Sequence, residues 1–178
     1  MQPSLRKFST LACVAALFFL LLPPGEPEFA SALVQEVTDE EPDPMVPVGF
    51  VIIKSTTSYD EALRTVREAN AKSGIPINLR GVVLDPQYGL MFSKGLDDPT
   101  DPLYAYPWYL PRGRYDDGVY LSVELSASYP GFWPGFYVVI AASGEPDSNL
   151  LKQTLSKVKP YYRDAYMKVA KIYHGCMH

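Results

Sequence analysis

The sequence predicts an α+β domain in which two strand–helix–strand units share one antiparallel sheet. Three observations carry this expectation. Two short apolar runs, residues 50–53 and 136–140, have the length and composition of buried strands. Each is followed by a segment with helix-start chemistry and a single apolar stripe, which needs a sheet to bury it. A long stretch rich in aromatic residues and proline separates the two units.

The elements follow in chain order. Arg6 and Lys7 precede an uncharged run over 11–22, Pro23 and Pro24 end it, and Ala30-Ser31-Ala32 has the small-x-small pattern that a signal peptidase reads. Residues 1–32 are therefore expected to be a secretory signal. The run falls short of the roughly 20 apolar residues of a spanning helix. The mature chain is expected to be periplasmic or extracellular, with no transmembrane segment. Cys13 would leave with the signal, and Cys176 alone would remain, so no internal disulfide is expected. Residues 33–48 carry Glu36, Asp39, Glu40, Glu41 and Asp43, no basic residue, and Pro42, Pro44 and Pro47. Like charges and prolines favour an extended tether. One domain is then expected over 49–178.

Within that domain, residues 50–53 form the first strand. Ser58 stands three before Glu61, a capping-box spacing in which the two side chains satisfy orphan amides at a helix start. Ala62, Leu63, Val66, Ala69 and Ala71 mark the apolar face of this helix, and Gly74 ends it. Residues 77–84 follow as its second strand, and 85–134 stand as an insertion. Within it, 88–92 and the alternating 119–125 read as strands, and 129–135 as a hairpin loop into 136–140. Gly144, Pro146 and Asp147 open a second helix with Leu151, Leu155 and Val158 on its apolar face. Pro160 closes it, and 165–173 is the last strand. Two such units on one sheet give a split βαβ sandwich of ferredoxin-like type.

The stretches "FVIIKSTTSYDEALRTVREA" and "YRDAYMKVAKIY" resemble the first strand-and-helix and the last passage of the SPOR domain, a small βαββαβ module of bacterial envelope proteins. The resemblance covers roughly 49–84 and 135–173 and rests on pattern. It implies binding of peptidoglycan glycan strands stripped of stem peptides, through an exposed sheet face. The insertion is the main departure from the family, and a sheet face covered by it would not serve that binding.

Residues 104–137 hold eleven aromatics. Tyr and Trp stack on sugar rings while tolerating a wet surface, and arginine forks bind carboxylates. Trp108, Tyr109, Arg112, Arg114, Tyr115 and Trp133 are the candidate ligand-binding residues on that reading. The alternative is a lid, with the rings packed over the sheet as a second small core.

Other chemistry is sparse. His174, Cys176 and His178 alternate in the tail and form a weak candidate metal set, and no cofactor is expected. Both histidines lie in that tail, which leaves little for nucleophilic catalysis elsewhere. Asp116-Asp117 with Glu124, or Asp97, Asp98 and Asp101, are the carboxylate groups available for acid–base work, and both groups read as turn or strand-entry residues. The whole chain has net charge −4. From residue 49 onward, 14 Lys and Arg face 13 Asp and Glu, a balance of +1. Nucleic acid is not an expected partner. The late basic residues, Lys152 to Lys171, would tolerate a polyanionic wall. The expectation is an exported binding module for cell-wall glycan. The alternative is an envelope domain whose insertion binds a partner protein, and an enzyme is disfavoured.

Overall fold

β1 (Met45–Thr56) begins the domain four residues earlier than the sequence indicates, because Met45 to Val48 pair in register with Tyr173 to Ala170. The structure is a computed structural model and describes residues 44–96, 100–101 and 104–176. The expected signal and the tether up to residue 43 lie outside these, as do Asp97, Asp98 and His178.

After β1 come α1 (Tyr59–Ser73), β2 (Val82–Asp85), β3 (Gly89–Phe92), β4 (Gly118–Leu125), β5 (Tyr137–Gly144), α2 (Asn149–Val158) and β6 (Tyr166–Tyr173). β4-β5-β1-β6 form one antiparallel sheet, and β2 pairs only with β3. The strand joined to β1 through α1 is β4, and the strand joined to β5 through α2 is β6. In each unit a strand of the other unit lies between the two strands.

This corrects the first unit. Its second sheet strand is β4, which the sequence places inside the insertion. Residues 77–84 do not join the sheet as a strand. Ile77 makes one parallel bridge to Leu121, with Leu121 N donating to Pro76 O (2.8 Å) and Asn78 N to Leu121 O (3.0 Å). Arg80 and Gly81 then take φ values of 59° and 70°, a left-handed turn that swings the chain away into the β2–β3 hairpin. The excursion therefore lies between α1 and β4, and 126–136 are a hairpin loop.

The helices form as their end signals dictate. Ser58 Oγ accepts from Glu61 N, and Gly74 closes α1 at φ 68°. The capping box is not reciprocal, however. Thr56 Oγ1 accepts from Ser58 N, and the Glu61 carboxylate turns to Thr56 and to Lys54 (3.0 Å). Ser148 caps α2 through Leu151 N. Ala62, Val66, Ala69, Leu151 and Val158 are buried against Val51, Ile53, Leu121, Val123 and Val139. Ala71 is exposed, off the apolar stripe.

The opposite sheet face is also closed. Val48, Phe50, Ile52, Val138, Ile140, Ala170 and Ile172 are all buried there, beneath Tyr129 and Phe132 of the β4–β5 loop. Burying a side chain of this kind is worth about 1.5–3 kcal/mol, so stripping the cover from seven of them would cost on the order of 10 kcal/mol. That exceeds what a small domain can spare, and the cover belongs to the fold.

Candidate functional site

The β4 end of the covered face is polar, and its chemistry decides which side chains remain available to a ligand. Tyr120, Ser122 and Glu124 alternate with Leu121 and Val123 along β4, so they share the face away from the helices. Arg112 lies over them, fully buried. Its Nε donates to Ser143 Oγ (3.0 Å), Nη1 to Tyr120 O (2.8 Å) and Ser122 Oγ (3.1 Å), and Nη2 to Gly118 O (2.8 Å). The guanidinium also stacks on the Tyr120 ring at 3.5 Å. The β4–β5 ladder shifts register between Val119 and Ser122. Arg112 supplies donors to carbonyls at that irregularity. Burial pulls its pKa below the ordinary arginine value.

Arg80 organises the carboxylates. It pairs with Glu124 at 3.0 Å, pairs with Asp116, and donates to Leu110 O. Burial works against its charge, but Glu124 and Asp116 outweigh that and raise its pKa. Tyr109 donates its hydroxyl to the same Glu124 oxygen, and burial followed by that carboxylate holds the phenol well above its usual range. Asp116 also accepts from Gly113 N (2.9 Å) and from Tyr120 OH (3.2 Å). Asp116 and Glu124 thus meet at one arginine, locked in ion pairs and hydrogen bonds within the fold. Asp117 is exposed.

The six candidate ligand-binding residues are dispersed. Trp108 stacks on Phe92 at 4.2 Å, edge-on to Tyr104, and packs against the core on the helix side of the sheet. Tyr109 and Arg112 are tied into the polar network. Arg114 is 7% exposed, Tyr115 is 73% exposed, and the two share a pocket. Trp133 stands apart at 81% exposure on the β4–β5 loop. In the tail, His174 Nε2 donates to Gly113 O (2.9 Å) and Cys176 is an exposed free thiol. Among the described residues no group of three His, Cys, Asp or Glu side chains is placed to hold a metal. No helix among them is long and apolar enough to cross a membrane.

A second candidate surface lies at the other end of the sheet. A groove of about 790 Å³ runs between the start of α1, the end of β1 and the α2–β6 turn. Tyr161, Tyr162 and Tyr166 line it, with Lys54, Arg64 and Arg163 set against Glu61, Glu68 and Asp164. A smaller hollow of about 170 Å³ holds Phe132, Trp133, Phe136 and Lys168. Ser55 and Tyr166 line both, so the two hollows adjoin at these residues. Tyr161, Tyr166 and Trp133 are 49%, 44% and 81% exposed, so all three rings are open to solvent. Lys168 Nζ donates to Gly131 O (2.7 Å) and sits 4.4 Å over the Phe132 ring, which fixes the loop that carries Trp133. The Glu61 carboxyl is held below its usual range by Thr56 and Lys54.

With three cations and three anions on its walls, the groove has no strong field of either sign. Exposed rings beside such paired polar groups suit a neutral, hydroxyl-rich ligand. Among these residues the sequence indicates Trp133 as a ligand-binding candidate and places Arg163 and Lys168 in the late basic stretch. The signal for the rest was the run Tyr161-Tyr162-Arg163 with Tyr166, dense in aromatics beside a base, which was legible only as a helix-to-strand passage. Comparison with protein-family models, with curated proteins and with solved structures finds no match for this chain.

Proposed function

We propose that this chain is an exported, non-enzymatic binding module that recognises cell-wall glycan in the groove running from Tyr161 past Tyr166 to Trp133. The observation that carries the reading is the adjacency of the two hollows, which share Ser55 and Tyr166 as lining residues. The exposed rings and polar groups on their walls are the kind of surface a polysaccharide strand stacks on. The strand order and the two interleaved strand–helix–strand units favour a ferredoxin-like sandwich of SPOR type. Because Tyr129 and Phe132 cover the sheet face opposite the helices, binding is assigned to the end of the sheet. The pairing of Asp116 and Glu124 with Arg80 argues against carboxylate catalysis at the polar end.

The test is retention of the protein on purified peptidoglycan sacculi, with and without stem peptides. Retention is expected, and Trp133→Ala and Tyr166→Ala should each weaken it by roughly tenfold at unchanged thermal stability, as for loss of a stacking ring. Retention unaffected by both substitutions would place binding elsewhere, and none at low salt would end the proposal. A partner protein docking on the insertion is the second reading. Against it, Trp108, Tyr109 and Phe92 pack into the helix-side core.

A further inference from the structure

The pocket beneath Tyr115 shares no lining residue with the glycan groove. It encloses about 360 Å³, within the range of small-molecule sites. Phe92, Leu110, Pro111 and Tyr115 form apolar walls, and Arg80, Arg114 and Asp116 supply the charge. The two arginines are differently placed. Arg80 is held by both Asp116 and Glu124. Arg114 is 7% exposed and has no carboxylate partner among the described residues. It donates through Nη2 to Gly175 O, while its buried Nε finds no acceptor. The rings of Tyr115 and Tyr173 lie 5.0 and 5.2 Å from its guanidinium carbon. A buried cation with one carbonyl and two ring faces for company lacks the compensation that buried charge ordinarily has.

We propose that this pocket binds a small monoanion, a carboxylate carrying a compact apolar body, with the carboxylate on Arg114 and the body between Phe92, Leu110, Pro111 and Tyr115. The charge count selects the class. Arg80 is committed to Asp116 and Glu124, which leaves the single positive charge of Arg114 for a ligand. A phosphate dianion would meet Asp116 without a second uncommitted cation. A neutral ligand would leave the guanidinium as it is. The dry walls reward an aryl or branched alkyl group rather than a bare ion.

The experiment titrates the intact chain with phenylacetate, its uncharged analogue phenylacetamide, and inorganic phosphate, followed by calorimetry and by backbone amide shifts. Saturable binding of phenylacetate is expected, with shifts centred on residues 110–116. The amide and phosphate should bind about tenfold or more weakly, as expected for loss or mismatch of a charge-assisted contact. Arg114→Gln should remove the preference for the acid over the amide. If that variant does not fold, Tyr115→Ala, which alters an exposed ring, should still weaken phenylacetate severalfold. Equal affinity for acid and amide, undiminished binding by a folded Arg114→Gln, or no saturable binding to the wild type would overturn the proposal. Sacculus retention should be unchanged in Tyr115→Ala, so this site and the groove fail or stand separately.

Discussion

Arg80 and Glu124 form an ion pair 3.0 Å long, with side chains only 10% and 1% exposed, across 44 residues of sequence. The pair ties the left-handed turn after α1 to the sheet strand β4. Removing one partner leaves a buried charge alone, which costs about 3–5 kcal/mol, whereas apolar replacement of both is often near neutral. Glu124→Leu and Arg80→Met should each lower stability by about that amount, Arg80→Met somewhat more because Asp116 also loses its partner. The double variant should recover a large part of the loss. Denaturant unfolding of the four proteins in a double-mutant cycle measures this, and additive losses would show that the pair is not coupled.

Arg112 is a second buried cation with a different task. Its fork serves the carbonyls of Gly118 and Tyr120 and the hydroxyls of Ser122 and Ser143. A lysine keeps the charge but cannot reproduce the planar fork. Arg112→Lys should cost on the order of 3 kcal/mol, since each buried acceptor left unpaired costs about 1–3 kcal/mol. A loss below about 0.5 kcal/mol in urea unfolding, the size of a surface substitution, would contradict this role.

Gly113 sits between the two arginines at φ 95°, and a Cβ there would lie 2.9 Å from Phe50 Cζ and 3.0 Å from Val48 Cγ1. Both neighbours are buried in the covered face, so neither has room to yield. Gly113→Ala should lower stability by roughly 1–3 kcal/mol through backbone strain and this clash. Gly131→Ala, at φ 81° with nothing within 4 Å of the added carbon, serves as the comparison and should lose less. Thermal unfolding ranks the two, and the reverse order would refute the packing argument.

Alkaline pH should unfold the protein through its buried phenols. Burial raises the pKa of Tyr109, Tyr120 and Tyr129 above the ordinary value of 10.0, with the Glu124 carboxylate adding to it at Tyr109 and Tyr129. Tyr106 is pushed up to about 12, chiefly by its hydrogen bond to Asp85. A raised folded pKa means stability that is complete below the unfolded value, near 10, and lost as pH climbs through the folded values. The buried tyrosines should therefore ionise only together with cooperative unfolding, above pH 10. Tyrosinate absorbance recorded beside circular dichroism checks that the two changes coincide. Full titration near pH 10 with the fold intact would contradict it.

The legible parts of the fold were those governed by neighbours in sequence. Ser58, Gly74 and the apolar stripe of Ala62, Val66 and Ala69 specify α1, because a helix start, a helix stop and a buried face are local chemistry. The continuous apolar runs announced β1 and β5 for the same reason, and the alternation over 119–125 announced β4. Which strand pairs with which was not legible. Residues 77–84 have strand composition, yet the turn at Arg80 and Gly81 sends them to β3, and β4 takes the sheet position instead. Strand pairing depends on long-range closure that no local pattern records.

The candidate site divides in the same way. The sequence by itself determined that this chain has an α+β fold with two capped helices, and that its rings concentrate between the two units. Tertiary structure decided what those rings and charges do. It packed Tyr129 and Phe132 over Phe50, stacked Trp108 on Phe92, set Arg112 and Arg80 on buried acceptors, and left Trp133 in one hollow with Tyr166 and Ser55. The reason is physical. The covered face carries seven apolar side chains that must leave water, and the nearest rings in the chain serve as their cover. Only the residues beyond the reach of that cover keep a surface to offer.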